Sequence, residues 1–231
     1  FLADVNAIND LKLRLGYGET GQQENIGDYN WFASYYTNAN PDSYYPIIGE
    51  GIMDRPNATN MDLTWETTTT YNVGIDFGFL RQRLTGSVDY YYRETTDLLN
   101  TVNVSAGSNF RNRVTSNVGS MKNTGVEVAL NWKAIQTRDW FWEIGVNATY
   151  NENEITEITS NSDGSPVETG SISSGTGNFV QAHAKGHPAS SFYVYQQAYD
   201  QNGLPLEGVY VDRNADGRIT TADKYYYKSP M

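Results

Sequence analysis

The sequence contains no cysteine. That excludes a disulfide framework, thiol catalysis and a thiolate metal site. A secreted eukaryotic domain usually carries disulfides, whereas a bacterial envelope protein does without them. Positive charge is scarce: Lys and Arg number 16 against 27 Asp and Glu, a formal net charge of −11. No basic stripe is present to follow phosphates, so nucleic acid is excluded as a partner. No run of about 18 apolar residues occurs, so no transmembrane helix is encoded. That leaves the membrane open, because a spanning β-strand needs only about 9–11 residues with every second one apolar. A signal peptide is also lacking. The opening FLADVNAINDLKLRLGYGETG already lies inside a strand pattern, and the closing YYYKSPM holds no terminal strand. The sequence is therefore expected to be a fragment of a longer protein.

Aromatic residues and glycine are abundant, with 18 Tyr, 5 Trp, 8 Phe and 21 Gly. That mixture favours strands and turns over helices. In TYNVGIDFGFL, residues 70–80, Tyr71, Val73, Ile75, Phe77 and Phe79 alternate with Asn72, Gly74, Asp76 and Gly78. A period of two gives a strand one apolar face and one wet face. The same alternation sets Leu11, Leu13, Leu15 and Tyr17 against Lys12, Arg14 and Gly16. It sets Leu84, Val88, Tyr90 and Tyr92 against Thr85, Ser87 and Asp89. It returns in GVEVALNW, residues 125–132, and in WFWEIGVNATY, residues 140–150.

Each run is about 8–11 residues and rises roughly 20–28 Å at the tilt of a barrel strand, close to the apolar band of an outer-membrane barrel. Soluble sandwiches use strands of about 5–6 residues. Connections alternate in length. Residues 80–83 and 134–139 are short links; 19–66, 94–119 and everything from 151 onward are long. Short periplasmic turns and long extracellular loops are a barrel asymmetry. Tyr90, Tyr92, Trp132, Trp140, Trp142 and Tyr150 stand near strand ends, where barrels place aromatic girdles. The expected fold is all-β: an antiparallel transmembrane β-barrel segment with long extracellular loops. Residues 1–231 read as a partial C-terminal barrel region, and 151–231 as mostly extracellular loop. In lipid every backbone amide must be paired, and only a closed barrel leaves no edge. Five or six strands cannot close, so the remaining strands lie outside this sequence.

The segment NMDLTWETTTTYNVGIDFGFLRQRLTGSVDYYYRETTDLL resembles a late barrel hairpin of the SusC/RagA-like, TonB-dependent outer-membrane transporters of Bacteroidetes. NVGSMKNTGVEVALNW, residues 117–132, is similar to the next signature of that family. KGHPASSFYVYQ and DRNADGRITTADKYYYKSP are similar to its late extracellular region. The resemblance implies a barrel of about 22 strands, an N-terminal plug, and a periplasmic segment that contacts TonB. It also implies a SusD-like surface lipoprotein as lid, and import of oligosaccharides or peptides driven by the proton-motive force. The lipid bilayer of the bacterial outer membrane is the implied location.

The sharpest local motif is DRNADGRITTAD, residues 212–223. Asp212, Asn214 and Asp216 occupy positions 1, 3 and 5 of a calcium loop, with Gly217 at the sharp turn of position 6. Arg218 offers its backbone carbonyl at position 7, Thr220 stands at position 9 and Asp223 supplies the carboxylate at position 12. Asp in place of Glu at that last position shortens its reach. Calcium is the expected cofactor, stabilising an extracellular loop. His183 and His187 have a metal-like spacing, but Lys185, Gly186 and Pro188 surround them and place them in a solvated loop. Glu66, Glu94 and Glu127 form no interpretable acid/base pair. No G-x-S-x-G elbow occurs, so no enzyme is expected. The aromatic stretch GDYNWFASYYTNANPDSYYP, residues 27–46, suits sugar stacking but reads better as a loop packed on its neighbours or on the lid. The competing fold is a soluble extracellular β-sandwich that binds carbohydrate. It requires Val73, Ile75, Val88, Val128 and Ile144 to pack against each other in one core.

Overall fold

A computed structural model describes residues 8–24, 26–27, 32, 34–38, 53–104, 113–159, 165–171 and 179–227. The chain divides into two compact units, Phe1–Asn153 and Glu154–Met231. No helix among the described residues is long and apolar enough to cross a membrane, which says nothing of strands.

The first unit is built on a sheet of five long strands: β1 (Ile8–Gln22), β4 (Glu66–Phe79), β5 (Leu84–Asn103), β6 (Arg113–Gln136) and β7 (Phe141–Ile158). Their order is β1-β4-β5-β6-β7. A side hairpin pairs β2 (Tyr35–Asn38) with β3 (Met53–Pro56). In the second unit, β8 (Val167–Ser171), β9 (Phe179–His183), β10 (Ser191–Tyr195) and β13 (Lys224–Tyr226) form a sheet ordered β13-β10-β9-β8. A hairpin joins β11 (Gln197–Tyr199) to β12 (Pro205–Tyr210).

The register aligns the apolar positions into rows. Leu13, Ile75, Val88 and Val128 lie side by side, as do Leu15, Val73, Tyr90 and Val126. One end of the band is the row Tyr17, Tyr71 and Tyr92; the other is Phe79, Leu84 and Trp132. Between Tyr71 and Phe79 the strand covers roughly 26 Å, or about 20 Å of height at a barrel tilt of about 40°. This face is open: Leu15 is 74% exposed, and Val73, Ile75 and Val88 are all exposed. Val128 and Ile144 are half-buried. Among the described residues only Val102, Ile155 and Ala182 are buried apolar side chains. A sandwich core is therefore absent from the described residues. An apolar sheet face this broad is stable only against hydrocarbon or a partner.

The strands outrun the alternation. Residues 94–119, expected as a long link, are mostly strand, with β5 continuing to Asn103 and β6 beginning at Arg113. Alternating apolar residues mark only the stretch inside the membrane; beyond it the strands continue in Thr and Asn, which pair equally well in water. A bulge interrupts the β5–β6 ladder between Thr95 and Leu98, with Asp97 left-handed at φ 57°. The buried Glu66 carboxylate accepts the Leu99 amide at 2.9 Å. Asn117 bridges the same region, donating to the carbonyls of Thr64 and Asp97 and accepting from the Thr64 amide. The first two segments that carry the resemblance are thus bonded to each other.

The turn at 80–83 is a left-handed coil: Leu80, Arg81 and Gln82 have φ of 55°, 57° and 60°. Such a conformation costs about 1–2 kcal/mol per non-glycine residue. Asn9 offsets part of it, because its side-chain oxygen accepts the Arg81 and Gln82 amides at 2.6 and 3.3 Å.

Candidate functional site

The wet face of the five-stranded sheet forms the candidate site. Its rows bring together Lys12, Asp76 and Ser87; Arg14, Gly74, Asp89 and Glu127; and Asn72, Tyr91 and Gly125. Arg14 grips Asp76 through Nε and Nη2 at 2.9 and 2.8 Å. Its Nη2 also reaches Asp89 at 2.8 Å, two strands away. Gly74 makes that reach possible: a Cβ there would stand 2.2 Å from the Asp89 carboxylate and 2.9 Å from Nη2. Tyr91 repeats the device one strand further on. Its ring lies over Gly125 on β6, and its hydroxyl donates to Asn151 on β7 at 2.9 Å. Small residues on intervening strands thus let long side chains cross the sheet.

A groove of about 560 Å³ follows these rows, lined by Arg14, Asn72, Asp89, Tyr91, Arg93, Asn123, Glu127 and Asn151. One of its guanidinium groups, Arg14, pairs with Asp89 in the groove and with Asp76 beside it, and these pairs remain partly open to solvent. Exposed pairs of this kind hold geometry more than they add stability. What remains is a lining of amides, a phenol and balanced charges, suited to hydrogen-bonding a polar solute of low net charge. The wet positions were legible as a face. Their convergence depended on the register, which no single strand reveals.

The calcium-type loop is compact. Asp212 accepts the Gly217 and Asp216 amides at 2.7 and 3.3 Å, and Asn214 Oδ1 accepts the Asp216 amide at 3.0 Å. Asp216 accepts the Arg218 amide at 2.8 Å. Gly217 turns at φ 80°, and Ala215 is left-handed at 58°. Asp223 is fully buried and accepts the amides of Arg213, Asn214 and Thr220 at 2.9, 3.4 and 2.8 Å. It also completes a capping box with Thr220 on the 3₁₀ turn Thr221–Asp223. The oxygens of Asp212, Asn214 and Asp216 therefore crowd one turn, and Asp223 closes the loop by accepting three of its backbone amides. Among the described residues no group of three or more His, Cys, Asp or Glu is gathered for a metal.

The Thr220 amide above all holds the Asp223 carboxyl below its ordinary pKa of 3.8. A depressed carboxyl contributes stability above its unfolded pKa and loses it as pH falls through the folded one. Protease cleavage within 212–223 is expected to rise as pH drops below about 4. Asp223→Asn should be cleaved faster than wild type at neutral pH, and the difference should close on acidification. A constant difference at all pH values contradicts this role.

The histidines are apart in chemistry. His183 accepts the Ser190 amide at 3.4 Å, and burial lowers its pKa. His187 stacks on Tyr226 with ring centroids 3.7 Å apart. Most of the aromatic stretch 27–46, and residues 160–164 and 172–178 of the following loops, lie outside the described residues.

An exposed apolar band, aromatic rows at its ends and a polar opposite face define a wall of a transmembrane β-barrel. The family model for the TonB dependent receptor-like β-barrel matches residues 3–228, and the chain belongs to that family. The TonB-dependent receptor SusC of Bacteroides thetaiotaomicron is 50% identical over 234 residues, covering 100% of this chain and 23% of that protein. The TonB-dependent receptor P39 of Formosa agariphila is 34% identical over 221 residues, covering 94% of this chain and 19% of that one. Among solved structures, the RagAB peptide transporter superposes with a TM-score of 0.74 at 29% identity, covering 99% of this chain and 24% of that one. The type is SusC/RagA, and the location is the bacterial outer membrane. The chain spans about a fifth to a quarter of the length of these curated relatives.

Proposed function

We propose that this segment forms part of the lumen wall of a TonB-dependent importer of oligosaccharides or peptides. The sheet's two faces carry the reading: one suits hydrocarbon, and the other is a polar groove past which a hydrated solute can move. Long connections face outside the cell and the 80–83 and 137–140 turns face the periplasm. A SusD-like lipoprotein closes the outer mouth, and TonB acts from the periplasm on a part of the protein beyond this segment. The relatives named above are receptors and transporters, not enzymes, and no catalytic step is assigned. Uptake of defined glycans and peptides by cells lacking the receptor, the lipoprotein or TonB tests this. Loss of one cargo class in all three strains is expected; uptake undiminished without TonB overturns it.

For the 212–223 loop we propose calcium, held by Asp212, Asn214, Asp216, the Arg218 carbonyl and Asp223. The crowded oxygens of the first three support it. Calcium is expected to protect the loop from proteolysis in wild type and not in Asp212→Asn/Asp216→Asn. Equal cleavage of wild type with calcium and with chelator removes the ion from the account.

A further inference from the structure

The short-turn end of the five-stranded sheet carries a charge opposite to that of the chain. The whole sequence has a net charge of −11. Yet Arg81 and Arg83 stand in the 80–83 turn, Lys133 follows the last apolar row on β6, and Arg138 stands in the next turn. Asp139 is the acidic residue of those turns, and Asp10 on β1 lies opposite Gly78. Among the described residues no carboxylate forms an ion pair with any of the four cations. Arg83 is occupied otherwise: its guanidinium donates to the carbonyls of Lys133 and Ala134 at 3.3 and 2.9 Å. Arg81, Lys133 and Arg138 have no side-chain partner among the described residues.

Their position is informative. The hydrocarbon-facing band ends at Phe79, Leu84 and Trp132, and the turns that carry Arg81 and Arg138 come next along the chain; Lys133, beside Trp132 within β6, falls on the wet face. Trp140 just before β7 and Trp142 within it, 75% and 57% exposed, mark the same end. Indole rings favour headgroup depth. Beyond the opposite edge of the band, the rows are Gly18, Thr70, Arg93 and Asn123, then Glu19, Thr69, Glu94 and Lys122, where acids and cations balance, so the excess of cations belongs to the short-turn end. Unpaired cations just outside an apolar band meet the phosphates of a lipid leaflet, and each such contact strengthens binding by about fivefold when the lipid is anionic.

We propose that this end of the barrel is a binding surface for anionic phospholipid headgroups, with Arg81 and Arg138, the free cations of the two turns, as the contacting residues. Two features favour lipid over a periplasmic protein: the patch continues the hydrocarbon-facing band, and its cations are spread over adjacent turns rather than gathered in a pocket. The orientation given above places it in the inner leaflet. The contact does not depend on what is transported, so a failed uptake test leaves it standing.

The test uses the whole receptor, delipidated in detergent and titrated with phosphatidylglycerol, phosphatidylethanolamine or inorganic phosphate, with bound species counted by native mass spectrometry. Wild type is expected to retain phosphatidylglycerol over phosphatidylethanolamine, with retention falling as salt rises. Arg81→Gln/Arg138→Gln should lose that preference, by roughly fivefold for each charge removed. Arg83 is left intact because it ties β5 to β6. Heat-modifiable migration on a gel confirms that the variant is folded, and Arg93→Gln in the groove serves as a charge-loss control elsewhere. Equal phosphatidylglycerol retention by the folded double variant and wild type overturns the proposal. So does an equal loss in Arg93→Gln, or full competition by inorganic phosphate at matched concentration.

Discussion

Val88→Arg is expected to destabilise the folded barrel by about 2–4 kcal/mol, the cost of a guanidinium at the bilayer midplane. Val88 sits in the central row of the band, between Ile75 and Val128, and its side chain is exposed. The neighbouring substitution Ser87→Arg adds the same charge one residue away. Ser87 lies on the wet face beside Asp76, where a cation is solvated and finds a carboxylate. Its cost is expected to stay within about 0.5 kcal/mol. Urea titration of the whole receptor in lipid, read by heat-modifiable gel migration, measures both. If the face were simply surface in water, the two variants would behave alike. Equal stability of Val88→Arg and Ser87→Arg would therefore remove the membrane from the account of this sheet.

Gly125→Val is expected to cost about 1–3 kcal/mol through overpacking and to disconnect Tyr91 from Asn151. A Cβ at this position would lie 2.4 Å from the Tyr91 ring and hydroxyl, and 2.7 Å from the Tyr150 carbonyl. The ring can swing away; the carbonyl belongs to the sheet backbone and cannot. Pairing Gly125→Val with Tyr91→Ala should therefore restore only part of the loss. Chemical denaturation of the two single variants and the double variant measures the coupling. Complete rescue by Tyr91→Ala would assign the whole clash to the ring. No loss in Gly125→Val would mean that the β6 crossing is looser than described.

Much of the wall was legible from alternation alone. Val73, Ile75 and Phe77 announce one face, and Asn72 and Asp76 the other, because a strand has no other way to sort its side chains. The 80–83 turn was legible from its brevity between two such runs. The true length of the strands was not: the Thr-rich start of β4 and the polar end of β5 carry no alternation, since both faces there meet water or polar neighbours. The wet groove was legible only as a list of polar positions. Arg14 is 62 residues from Asp76 and 75 from Asp89, and only the register shows that they meet. Glu66, dismissed as a catalytic candidate, has a structural task that appears only once the bulge exposes the Leu99 amide. The Asp223 assignment illustrates a different ambiguity. A carboxylate at the close of an Asx-rich loop can satisfy an ion or three amides, and the residue pattern is the same for both.

The open borders of the sheet bear on how such a wall is made. β1 and β7 each present a long row of amides and carbonyls with no neighbour inside the sheet. In water those seams would recruit any passing chain, and in lipid they would be intolerable. The wall therefore cannot wait half-finished in either solvent. Each seam must therefore meet a further strand of the closed wall before the sheet is at rest in lipid.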